Sequence, residues 1–158
     1  MLVRPDDIWV DWWIPSGDER WRSDVHQSSH MIGQWWADVL RQTVTGDVTV
    51  HDGPLTGDPA YRLVCFAGSG PGEVFVDGKK AVGVTQWRVR EGILISTVLP
   101  AHVSDDVLDY LHDVPDGLDR ALAHHSLSSL PSVDSTTVVE SLRRLCGPWH
   151  DRVVDLRL

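Results

Sequence analysis

Over the first hundred residues, apolar and polar positions alternate in short runs; over the last sixty, apolar residues recur at helical spacing. The run Ile8-Trp9-Val10-Asp11-Trp12-Trp13-Ile14 is apolar on both faces apart from Asp11. That pattern predicts a strand in the middle of a sheet. Residues 2–3 read as a short strand before it, and Pro15-Ser16-Gly17-Asp18 breaks the run. Asp24 can cap a helix over residues 25–42. Its buried stripe would be Val25, Ile32, Trp35, Trp36, Val39 and Leu40. Trp9, Trp12, Trp13, Trp35 and Trp36 are expected to pack together between this helix and the sheet.

Beyond Gly46, residues 48–50 read as a short strand and Asp52-Gly53-Pro54 as a turn. Residues 61–66 alternate and predict another strand. Residues 73–76 and 79–89 flank Asp77-Gly78, a two-residue hairpin signal. Arg90-Glu91-Gly92 turns the chain into a further strand over residues 92–99, stopped by Pro100. Helices are expected over residues 105–112, 118–127 and from Asp134 or Ser135 to about Leu145, with Val138, Val139, Leu142 and Leu145 on one side of the last. Residues 153–158 read as a short tail strand. Strands first and helices last predict an α+β fold with a mixed, mainly antiparallel sheet and helices packed on it.

The 158 residues make one domain, residues 1–158, large enough for a real core. The net charge of −9 argues against nucleic acid as a partner, because cationic contacts supply the main affinity there. No apolar run reaches the length of a membrane span, so no membrane partner is expected. The N-terminus lacks signal-peptide architecture. Cys65 and Cys146 form no CxxC pair, so neither zinc nor a redox dithiol is indicated, and a cytoplasmic setting is the expectation. Adjacent histidines at 124 and 125 diverge on a helix and chelate poorly. His51-Asp52 is read as part of a turn. No metal site is predicted.

The chemistry concentrates between Cys65 and Leu99. Cys65 enters a glycine-rich loop, Gly68-Ser69-Gly70-Pro71-Gly72, read as a flexible loop over a pocket. The hairpin turn delivers Lys79 and Lys80, and Gly83, Thr85, Gln86 and Arg88 follow. A lysine fixed at the start of a strand offers a point charge and three donors to a carbonyl or phosphoryl oxygen. A glycine beside it lets a ligand approach the backbone. The alternative for Lys80 is a solvated strand-end lysine; for Cys65 it is a small buried packing residue.

The segment Gly78-Lys79-Lys80-Ala81-Val82-Gly83-Val84-Thr85-Gln86-Trp87-Arg88 resembles the lysine motif of the biotin/lipoate protein ligase family. In that alignment Lys80 takes the place of the key lysine, Gly83 and Gln86 fit, and Arg88 fits the octanoyltransferase branch. Thr85 stands where alanine or serine is usual. Ile95-Ser96-Thr97 stands where relatives often carry a His-Gly pair. Cys65-Phe66 is similar to the nucleophile loop of the amidotransferases and octanoyltransferases.

The resemblance implies a biotin/lipoate ligase catalytic-domain fold without its N-terminal Arg-Arg/Gly-Gly-Gly segment. It implies transfer of lipoate or octanoate to the lysine of a lipoyl carrier domain or small carrier protein, with acyl-carrier protein as a possible donor. Lys80 would be catalytic, with Cys65 as nucleophile in the transferase branch only. Gly83, Thr85, Gln86 and Arg88 would bind substrate, and Trp87 would touch ligand or partner. ATP with Mg would be needed only in the ligase branch. The other expectation is a non-catalytic, shortened relative that binds an acyl group or carrier without turnover. Lys80→Ala is expected to leave the fold intact, on the premise that a strand-end lysine lies outside the core.

Overall fold

A computed structural model of the chain describes residues 4–57, 64–102, 105–125 and 133–147. In order they form β1 (Ile8–Pro15), α1 (Val25–Thr43), β2 (Val48–Val50), β3 (Val74–Val76), β4 (Lys79–Val89), β5 (Gly92–Leu99), a 3₁₀ turn (Asp105–Tyr110), α2 (Leu118–His125) and α3 (Ser135–Cys146). The strands make one sheet in the order β1-β5-β4-β3-β2. Each neighbouring pair is antiparallel, so the described sheet contains no parallel pairing and is not mixed.

Among the described residues β1 is an edge strand rather than a central one. Its alternation explains this. Ile8, Trp12 and Ile14 are buried, whereas Trp9 and Trp13 point to the opposite face and are 41% and 44% exposed. A strand rich in tryptophan reads as apolar on both sides even when one side is open. Trp9 and Trp13 therefore leave the aromatic core expected of them.

α1 and α3 cover one face of the sheet, where Ile14, Ile32, Trp36, Leu40, Val82 and Leu142 form the centre of the main core. α1 begins where expected, with Asp24 accepting from the Gln27 amide at 2.9 Å. Its buried stripe includes Ser28, Ser29 and Gly33, while Val25 is exposed. In α3, Val138 and Leu142 are buried as predicted and Leu145 is exposed. Thr97 ties the layers together. Its hydroxyl accepts from the indoles of Trp12 at 3.1 Å and Trp36 at 3.0 Å and donates to the Val10 carbonyl.

On the opposite face a smaller cluster joins Val64, Phe66, Val98, Leu118 and Leu122, with the 3₁₀ turn packed against it. The 3₁₀ turn replaces the α-helix expected over residues 105–112. Residues 64–66 form a bend and turn, not the end of a strand, with the Ala67 amide bonded to the Val64 carbonyl. Residues 61–63 and the strands expected at 2–3 and 153–158 lie outside the described residues. Among the described residues no helix is long and apolar enough to cross a membrane.

Candidate functional site

The hairpin forms as its turn residues dictate. Asp77 and Gly78 both have positive φ, 49° and 75°, as a two-residue primed turn requires. One residue beyond the turn, β4 gains an extra residue against β3. Val76 pairs with Lys79 and Phe75 with Lys80, but Val74 pairs with Val82. This bulge lets Ala81 and Val82 both join the main core. Lys80 is left on the other face of the sheet, beside Phe66 and Gly83.

Lys80 is 1% exposed. It is not the solvated strand-end lysine, and the premise that its truncation would spare the fold is corrected by its burial. Its ammonium lies 2.7 Å from Glu73 Oε2 and donates to the Cys65 carbonyl at 2.6 Å. It also sits 5.2 Å above the Phe66 ring centroid, at cation–π range. Lys79, next to it, is exposed.

Glu73 is the residue sequence reasoning missed. It is 6% exposed, and Oε2 also accepts from the Gly70 amide at 2.7 Å. The Val84 amide of β4 lies near the same carboxyl and helps to hold its pKa down. Burial pushes the Glu73 carboxyl up from its ordinary value, and Lys80 and the two amides oppose that shift. Burial pushes Lys80 down, opposed by Glu73. The register held a signal for this pair. Phe75 faces Lys80 across the hairpin, and Glu73 is two residues from Phe75, so it shares Lys80's face on the diagonal.

The glycine-rich loop is packed, not loose. A Cβ on Gly72 would collide with the Ser29 carbonyl, and one on Gly33 with the Gly72 carbonyl. The loop thus rests on the α1 backbone, and both contacts need glycine. A Cβ at Gly83 would lie 3.3 Å from the Phe66 ring, so Gly83 makes room for Phe66. The Cys65 side chain remains exposed, whereas Cys146 is buried in the main core.

The remaining expected site residues divide between the two faces. Gly83 and Thr85 lie on the Lys80 side, with Thr85 exposed. Gln86 and Arg88 lie on the α1 side. Gln86 Nε2 donates to the Val25 carbonyl at 2.8 Å and to Ser29 Oγ at 2.7 Å. Arg88 donates to Ser28 Oγ, Gln86 Oε1 and the carbonyls of Arg22 and Ser23, and stacks 5.7 Å from the Trp21 ring. These two side chains fasten β4 to the start of α1. The structure therefore brings together Cys65, Lys80 and Gly83, and sets Gln86 and Arg88 apart from them.

No family model, no curated protein and no solved structure matches this chain.

Proposed function

We propose that Cys65, Lys80 and Glu73 form an acyl-transfer site, with octanoyl or lipoyl as the acyl group and a lysine of a lipoyl carrier domain as final acceptor. One observation supports the reading above others. Cys65 and Lys80, singled out separately from the sequence, meet through the 2.6 Å bond from Lys80 Nζ to the Cys65 carbonyl, while the thiol stays exposed.

In this reading the Cys65 sulfur, having lost its proton to solvent, attacks the carbonyl carbon of an acyl thioester. A carbon–sulfur bond to Cys65 forms, the bond to the donor sulfur breaks, and the donor leaves as a thiol after taking a proton. The neutral acceptor amine then attacks the acyl carbon and gives up one proton to solvent, the carbon–sulfur bond to Cys65 breaks, the sulfur leaves as the thiolate, and an amide results. Lys80 acts by fixing the peptide that carries the thiol, and Glu73 fixes Lys80. Acylation of Cys65 by an octanoyl carrier-protein thioester tests the reading, through an adduct of octanoyl mass.

A second reading is favoured by the burial of Lys80. Its ammonium already serves two internal acceptors. A lysine so engaged also suits a domain that binds an acyl group or carrier without turnover. Absence of the adduct, with retained carrier binding, selects that reading.

A further inference from the structure

His26, His30 and Gln34 form a stripe on α1 at a spacing of four residues, and the acyl-transfer reading uses none of them. Residues four apart on a helix are neighbours on one face. The chain that leaves β2 passes along this stripe, with Val50 against Gly33 and Asp52 beside His30. That chain is fixed from its other side. The His51 amide donates to the Glu73 carbonyl at 2.8 Å, and the His51 carbonyl accepts from the Gly72 amide at 2.9 Å. His51 Nε2 donates to the Pro54 carbonyl at 3.0 Å and closes the turn. Asp52 is thereby carried to α1 with its carboxylate largely in solvent.

His30 Nδ1 is buried and makes no hydrogen bond among the described residues. Asp52 Oδ1 lies 3.5 Å away, too far for a good N–H···O bond. The distance matches two ligand atoms on one tetrahedral zinc, where bonds of about 2.0–2.1 Å set them about 3.4 Å apart. His30 Nε2 is already held by the Gln34 side-chain amide at 3.0 Å. With Nδ1 on a metal, Nε2 carries the ring proton, and the amide turned over offers it the Gln34 oxygen. Ligating histidines are commonly oriented by such an acceptor. His26 supplies a third donor. Two histidines four apart on a helix face have zinc-binding spacing, and a helical side chain such as His30 leans over the turn before it, which carries His26. His26 is exposed and has no hydrogen bond or ion pair among the described residues. No three metal-ligating side chains converge among those residues, so the His26 ring must turn towards His30 on binding, a rotamer change at the surface.

We propose that His26, His30 Nδ1 and Asp52 bind a zinc ion, with water in the fourth position, and that the ion clips the turn after β2 to α1. Two imidazoles and one carboxylate suit zinc better than magnesium or calcium, which favour all-oxygen sites. The clip lies one residue from Ser29, on which Gly72 rests, so it closes the same seam between loop and helix. The inference is independent of the acyl-transfer reading.

The test is a titration of the whole, tag-free chain with Co²⁺, which stands in for zinc and absorbs strongly in the visible when four-coordinate. One equivalent is expected to bind with a tetrahedral spectrum and to be displaced by Zn²⁺. Gln34→Leu should weaken binding about tenfold, the lower end of what losing an orienting partner costs. His26→Gln, His30→Gln and Asp52→Ala should each weaken it at least as much. Gln34→Glu, whose carboxylate accepts from Nε2, should bind no more weakly than wild type. Long-range ¹H–¹⁵N spectra of the zinc-loaded protein should show His30 metallated at Nδ1 and protonated at Nε2. His26 and Asp52 lie at the surface, so their variants keep the test readable if His30→Gln unfolds. Absence of a tetrahedral cobalt spectrum, or full affinity in any one of the three ligand variants, would overturn the proposal. Failure of Cys65 acylation would overturn the transfer reading and leave this result standing.

Discussion

Lys80 Nζ lies 2.7 Å from Glu73 Oε2, with 1% and 8% of the two side chains exposed. Two opposite charges are thus held inside the protein, where breaking a pair costs far more than forming it yields. Lys80→Met leaves the Glu73 carboxylate buried without its cation and should lose about 3–5 kcal/mol. Adding Glu73→Gln removes the stranded charge while keeping an acceptor for the Gly70 amide, so the double variant should be more stable than Lys80→Met alone. Urea unfolding of the three proteins checks this. A Lys80→Met variant as stable as wild type would show that the pair does not hold the fold.

The Thr97 hydroxyl serves both the Trp12 and the Trp36 indole. Thr97→Val keeps the shape but strands two buried donors, at roughly 1–3 kcal/mol for an unsatisfied group. Thr97→Ser keeps the hydroxyl and should lose distinctly less. Equal losses, read from thermal or urea unfolding, would mean that methyl packing rather than hydrogen bonding makes Thr97 important.

Two glycines on the loop–helix contact should tolerate no side chain. Gly33→Ala drives a Cβ into the Gly72 carbonyl, and Gly72→Ala meets the Ser29 carbonyl at a φ of 79°. Overpacking of this kind costs about 1–3 kcal/mol. Gly78 is also at positive φ but has open space around it, so Gly78→Ala should cost only about 1–2 kcal/mol for the left-handed backbone. A larger loss at Gly78 than at Gly72 would contradict the packing described.

Asp18 gives a pH signature. The Arg20 guanidinium, at 2.7 Å, holds its carboxyl down from 3.8 to about 2. Because the folded value lies below the unfolded one, the stabilisation is present above pH 3.8 and fades as the pH falls towards about 2. Asp18→Asn should therefore cost roughly 1 kcal/mol at neutral pH, the scale of a partly exposed pair, and almost nothing near pH 2. Chemical denaturation across that interval would show the two stability curves converging. Parallel curves would rule the ion pair out as the cause.

The hairpin, the α1 cap and the α3 start were legible because each depends on local chemistry: Asp77-Gly78 at the turn, Asp24 and Asp134 at the helix ends. The site was only half legible. Counting by twos from Gly83 puts Lys79 and Ala81 on its face. The bulge opposite Phe75 reverses that phase and brings Lys80 there instead. A bulge is set by which residues the core can accept, here Ala81 and Val82 together, and no local pattern announces it. Glu73 was passed over because it opens a run of valines and phenylalanine and reads as a strand residue. Its role follows only when Gly70, Val84 and Lys80 are seen converging on one carboxylate. Trp9 and Trp13 misled for the opposite reason: bulky aromatic residues read as core, yet here they furnish an open face.

Lys80, paired with Glu73, holds the Cys65 peptide by its carbonyl, and in the proposed function the Cys65 thiol accepts an acyl group. Intact-mass analysis after incubation with an octanoyl carrier-protein thioester tests this most directly. The account predicts one octanoyl adduct that hydroxylamine removes, that Cys65→Ser abolishes, and that does not require the buried Cys146. No adduct on the wild-type protein, or one that survives Cys65→Ser, would contradict it.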